Sequence, residues 1–159
     1  MPVTKMVRFF ARLAEMGIIL AMAANAGEPG IKAQLVGGTL PEVAAKLSVR
    51  LDYSGADDLI FRGPRTEIRV VCRKVNTLEY GQTVSRRYAA AVLISPMLLL
   101  SKSRKHFVTL GYEDAAGKQQ VLVFRVEKGD IRSVLAGLEA RTGRRVEYQD
   151  DEARKAGKG

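Results

Sequence analysis

The chain has one cysteine and one histidine among 159 residues, and its apolar runs are too short to span a bilayer comfortably. A lone Cys72 excludes an internal disulfide. One His and one Cys, far apart in sequence, do not form the clustered ligand set that a metal site usually needs. G-x-S-x-G, Walker A and G-x-G-x-x-G motifs are absent, and Gly37-Gly38-Thr39 is too short for a phosphate loop. No catalytic residue, cofactor or metal ligand is therefore assigned. A Cys72–His106 nucleophile pair would need the fold to bring the two together, and no third group is evident to orient the base. Cys72 closes the apolar stretch Ile68-Arg-Val-Val-Cys72 and is expected to be a buried, inert thiol. Internal repeats and long low-complexity linkers are missing too.

What is present suits one globular domain. Hydrophobic content is 47% and charged content 27%, ordinary for a chain with a real core. The net charge is +9, which favours anionic partners. The clearest unit is His106–Tyr148. His106–Glu113 and Gln119–Val126 read as strands joined by the polar turn Asp114-Ala-Ala-Gly-Lys118, an antiparallel hairpin. Ile131, Val134, Leu135 and Leu138 then form a helical stripe, with Asp130 as N-cap and Gly143 just past the end. Upstream, Ile31–Val36, Lys46–Tyr53, Leu59–Arg62, Glu67–Arg73 and Val75–Val84 read as further strands. The expectation is a mainly β barrel of about seven antiparallel strands with one C-terminal helix.

Three segments stand outside that unit. Residues 1–26 have the order of a secretory signal: Lys5, Arg8 and Arg12, an apolar stretch Met16–Ala24, and an Ala24-Asn-Ala26 cleavage site. Removing it takes three basic residues and one acidic residue, leaving 23 basic against 16 acidic, a net +7. The expected location is therefore periplasmic or extracellular. Residues 85–104 form an apolar insertion, Tyr88–Leu100, with basic residues at both ends. It reads either as a lid over an open end of the barrel or as a membrane-docking loop. Residues 149–159 are charged and Gly-rich and are expected to be a disordered tail.

The stretch Glu67-Ile-Arg-Val-Val-Cys-Arg-Lys-Val-Asn-Thr-Leu-Glu79 resembles the strand–turn–strand of bacterial pleckstrin-homology-like (PH-like, including GRAM-like) domains, with Val71 and Cys72 where their pattern has Pro and Tyr. Leu78-Glu-Tyr-Gly81, Ser101-Lys-Ser-Arg-Lys-His106 and Leu138-Glu-Ala-Arg-Thr-Gly143 resemble uncharacterised exported bacterial proteins of that kind. The resemblance implies a PH-like barrel over 27–148 and carries no activity with it. Such domains bind phosphoinositides, peptides or proteins, so the fold alone does not choose a ligand.

Two binding functions follow as expectations, with an enzyme of unassigned type as a third alternative. The first is a non-enzymatic binding or scaffold module working by protein–protein contact. The second is a peripheral module on an anionic membrane. The contact residues for either are Arg86, Arg87, Leu98, Leu99, Lys102, Arg104 and Lys105. Nucleic acid is not expected. The tyrosines Tyr53, Tyr80, Tyr88, Tyr112 and Tyr148 fall mostly in strand positions suited to packing, and export argues against nucleic acid as well. A second basic cluster, Arg141, Arg144 and Arg145, closes the helix, where Arg141 complements the negative end of the dipole.

Overall fold

A computed structural model describes residues 29–43, 46–84 and 105–158. The signal segment 1–26 and the insertion 85–104 lie outside the described residues. The described residues form eight strands: β1 Ile31–Gly38, β2 Leu47–Asp52, β3 Asp58–Arg62, β4 Glu67–Val71, β5 Val75–Gly81, β6 His106–Glu113, β7 Gln119–Val126 and β8 Glu147–Tyr148. Two helices follow the main strands, α1 Ile131–Thr142 and α2 Asp151–Lys158. The protein is mainly β, as its alternating apolar positions predict.

The strands form one sheet in the order β4-β3-β2-β1-β7-β6-β5-β8. Every neighbouring pair is antiparallel except β5–β8. Two meanders, β1 to β4 and β5 to β7, meet at the β1–β7 seam. The sheet is not closed by hydrogen bonds: β4 and β8 are its free edges among the described residues. This corrects the expectation of a barrel of about seven strands. The sheet nonetheless curls. β4 and β5 lie six inter-strand steps apart, roughly 29 Å if flat. Yet only the 3-10 turn Cys72–Lys74 separates them in the chain, and that can span no more than about 14 Å. Phe61 of β3 and Phe124 of β7 meet across the resulting hollow, ring centroids 5.2 Å apart and edge-on. Dispersion between such rings adds to their area burial.

The hairpin forms as expected, in register from His106↔Val126 to Glu113↔Gln119. Its turn is held by the Asp114 carboxylate, which accepts from the backbone N–H groups of Ala116 and Lys118, both at 2.9 Å. Gly117 takes φ +77°, open to glycine at no steric cost. In α1, Ile131, Val134, Leu135 and Leu138 are all buried and join the main core. Asp130 occupies the N-cap position, but its side chain makes no capping bond. Gly143 ends the helix in the left-handed region, its N–H on the Glu139 carbonyl at 2.9 Å. The Arg141 guanidinium donates to the Ser54 carbonyl (3.1 Å) and Arg144 to that of Val75 (3.0 Å). The two arginines thereby tie the end of α1 to the β2–β3 turn and to the start of β5, across the gap the sheet leaves open.

Residues past Gln149 are not a disordered tail. β8 adds a short parallel pair to β5, and the Asp150 carboxylate accepts the Ala153 N–H at 2.6 Å to start α2. Ala153 is fully buried in the main core, and Gly157 lies against Tyr148. The small residues that make the tail look featureless are what let it pack closely. No helix among the described residues is long and apolar enough to cross a membrane.

Candidate functional site

Strand alternation turns Ala33, Val49 and Leu51 inward and leaves Lys32, Gln34, Ser48 and Arg50 on the outer face. Pairing then aligns them. Lys32 lies directly opposite Arg50, and Arg50 directly opposite Arg62, so three cations stand in one row across β1, β2 and β3. Gln34 faces Arg125 across the β1–β7 seam. With Gly63 to Glu67 of the β3–β4 turn as a wall, these residues line a groove of about 840 Å³. Its charged lining is Lys32, Arg50, Arg62, Arg65 and Arg125 against Glu67 and Glu127, an excess of three positive charges.

Like charges directly opposite on a sheet repel, by roughly 0.2–1 kcal/mol per pair. The groove relieves part of this locally. Arg62 Nη1 donates to Asp52 Oδ2 at 2.7 Å and Arg62 Nε lies 3.4 Å from Glu67. Asp52 also accepts from the Ser54 hydroxyl (2.6 Å) and backbone N–H (3.0 Å). These bonds, Ser54 first and then Arg62, hold the Asp52 carboxyl down at about 2. Arg50 donates to the Gly30 carbonyl at 3.0 Å, and Arg125 lies 3.4 Å from Glu127. Lys32 and Arg65 make no ion pair among the described residues. What remains is a concave array of N–H donors suited to carboxylates or phosphates.

The sequence-predicted contact set lies elsewhere. Arg86, Arg87, Leu98, Leu99, Lys102 and Arg104 are outside the described residues; Lys105 is within them, and its N–H donates to the Gln82 carbonyl at 3.3 Å. Cys72 and His106 do not meet. Cys72 is buried beside the start of β5, whereas His106 stacks on Tyr80 near that strand's end, five residues and roughly 17 Å further along. Burial raises the Cys72 thiol above its usual range, the direction of an inert group. Tyr80 Oη and His106 Nδ1 are 2.5 Å apart, and Tyr148 meets Tyr80 edge-on, centroids 6.0 Å apart. No group of three metal-ligating side chains occurs among the described residues.

The groove escaped sequence reasoning for a specific reason. Lys32, Arg50 and Arg125 each occupy ordinary outward positions, and only the strand order β3-β2-β1-β7 brings them together. The available signal was a basic residue at a solvent-facing position of the alternation in three separate strands. No protein-family model and no curated protein matches this chain.

Proposed function

We propose that the protein is an exported, non-catalytic binding module whose cationic groove receives an acidic segment of a partner protein. The carrying observation is the row Lys32, Arg50, Arg62, three cations in direct cross-strand register. An extended acidic chain laid across that row would place a carboxylate near each step and relieve the repulsion. The fold supports this as a PH-like scaffold: two antiparallel meanders joined at β1–β7, with α1 directly after β7. The signal-like order of residues 1–26 supports export.

The test uses a fluorescently labelled Asp/Glu-rich ten-residue peptide, read by anisotropy. The full chain should bind it, with affinity falling as salt rises. Lys32→Glu with Arg50→Glu should weaken binding at least tenfold while leaving the melting temperature near that of the unaltered protein. Unchanged affinity in that variant, or no binding at low salt, removes the reading. Anionic vesicles give a second arm. Vesicle binding that survives the groove reversal but is lost in Leu98→Asp with Leu99→Asp would move the contact to the apolar insertion and a membrane.

A further inference from the structure

The cationic groove is not uniformly positive. Ladder pairing sets Arg62 directly opposite Glu67, just as it sets Arg50 opposite Arg62 and Lys32 opposite Arg50. At the seam Ala33 pairs with Val126, and the next residue, Glu127, continues that register to the level of Lys32. One row across the outer face therefore reads Glu67, Arg62, Arg50, Lys32, Glu127, three cations bounded by an acid at each end. All five line the groove. At about 4.8 Å per inter-strand step, the outer cations stand roughly 10 Å apart and the two acids roughly 19 Å apart. Both acids are held at these ends. Glu67 lies 2.8 Å from Arg69 and 3.4 Å from Arg62, and Glu127 lies 3.4 Å from Arg125. The next outward positions of β1 and β2, Gln34 and Ser48, pair with each other and carry no charge. Charge along the row is thus segregated, positive in the middle and negative at both ends.

We infer that the groove selects, among acidic segments of a partner protein, those with an acidic core of about five residues and basic residues on both flanks. The inference rests on the groove reading above and adds the chemistry of the partner to it. An extended chain repeats its side-chain direction every two residues, about 6.8 Å. Three same-facing carboxylates, at i, i+2 and i+4 and centred on Arg50, reach about 7 Å to either side. The outer two then lie nearer to Arg62 and Lys32 than to the bounding acids. Carboxylates two residues further out, at about 14 Å, pass beyond the cations and meet Glu67 and Glu127 as like charges. A lysine or arginine in those places pairs with the two acids instead, and its flexible stem covers the remaining few ångströms. The bounding acids therefore act twice, attracting the flanks of the right segment and repelling a longer acidic run. A polymer that is anionic along its whole length, such as a nucleic acid, meets that repulsion at both ends. A polypeptide, whose charge changes sign along its length, fits the row.

Two labelled peptides test this with the full chain at low salt, read by anisotropy. Each carries a run of five glutamates, flanked on both sides by two glycines in one peptide and by two lysines in the other. The protein's net charge of +9 works against the second, because the lysines cancel most of the peptide's charge. Selection by the row predicts the opposite order, with the lysine-flanked peptide bound at least about threefold more tightly. Glu67→Gln with Glu127→Gln should reverse that order, and should bind the glycine-flanked peptide at least as tightly as the unaltered protein does. Binding of the glycine-flanked peptide with no gain from lysine flanks overturns this inference and leaves the groove reading standing. A gain that persists in the double variant does the same. If neither peptide binds the unaltered protein, the groove reading falls and takes this inference with it. Glu127→Gln alone, at a side chain 73% exposed, serves if the double variant melts well below the unaltered protein. It should reduce the gain from lysine flanks, and an undiminished gain overturns the inference.

Discussion

Two titratable groups weaken the fold as pH falls, over different pH ranges, and report on different parts of it. Burial, then the nearby Lys128, holds the His106 imidazole below its ordinary value, while Glu127 pulls weakly the other way. The folded state therefore favours neutral His106, with Nδ1 free to accept from the Tyr80 phenol. Its contribution to stability is complete above the free-histidine value of about 6.5 and is lost as pH falls through the lowered folded value. Thermal melts from pH 8 to pH 5 should decline, and His106→Gln, which keeps an acceptor but does not titrate, should flatten that decline. Equal slopes in the two proteins would remove His106 as the cause. Asp52 acts lower. Its carboxyl is depressed to about 2, so its contribution is present above the ordinary Asp value of 3.8 and lost only as pH falls through 2. Asp52→Asn removes the charge that Ser54 and Arg62 bind and should cost about 1.5–3 kcal/mol in denaturant melts. A loss within about 0.5 kcal/mol, the range of ordinary surface changes, would mean that water replaces these bonds. The burial of Cys72 was readable from its apolar flanks. The Tyr80–His106 contact was not, because the two residues are 26 positions apart and meet only through the β5–β6 pairing.

Elements whose apolar period is unbroken were legible, and those whose packing depends on small residues were not. The stripe Ile131, Val134, Leu135, Leu138 predicts α1, and all four side chains are buried. Leu135→Ala should cost about 2–5 kcal/mol, since the side chain is 2% exposed and packed within the core. A change under about 0.5 kcal/mol would mean that the site collapses or faces water. The ends of β4 and β5 were misread. Cys72 and Arg73 leave β4 for a 3-10 turn because the chain must cross from one meander to the other within a few residues. α2 was missed outright. Its sequence, Asp151-Glu-Ala-Arg-Lys-Ala-Gly-Lys158, carries no large apolar residue, and its buried positions are Ala153 and Gly157. The element nonetheless closes one side of the core: Gly157 lets it approach Tyr148, Leu135 and Tyr80. A chain ending at Asp150 should melt at lower temperature and bind an apolar-surface dye more strongly. Unaltered melting of that truncated chain would show that α2 adds no stability.

At the scale of the whole molecule, strand number and local pairing were readable, whereas the order that joins the two meanders was not. Alternation shows which residues of a strand face inward, but nothing local tells β1 to pair with β7 rather than remain an edge. That single pairing creates the cationic groove and the curl. It also determines how the molecule should unfold. β1 is hydrogen-bonded on both sides, to β2 through Ile31–Leu35 and to β7 through Ala33–Gly38. Without it, β2–β4 and β5–β7 would share no ladder. Their inward residues still form one cluster, with Leu51, Leu59 and Phe61 from one side meeting Leu110, Leu122 and Phe124 from the other. Neither meander can lose its partner without exposing its own apolar face. The two should therefore open together, with β1 opening in the same event. In native-state hydrogen exchange at rising denaturant, hydrogen-bonded amides of β1, β2, β6 and β7 should converge on one opening free energy, equal to that of global unfolding. Leu35→Ala, in the seam, should lower that common value for both meanders alike. Amides of β2 to β4 exchanging at an opening free energy about 2 kcal/mol or more below those of β6 and β7 would show two separable units, with the seam only a contact between them.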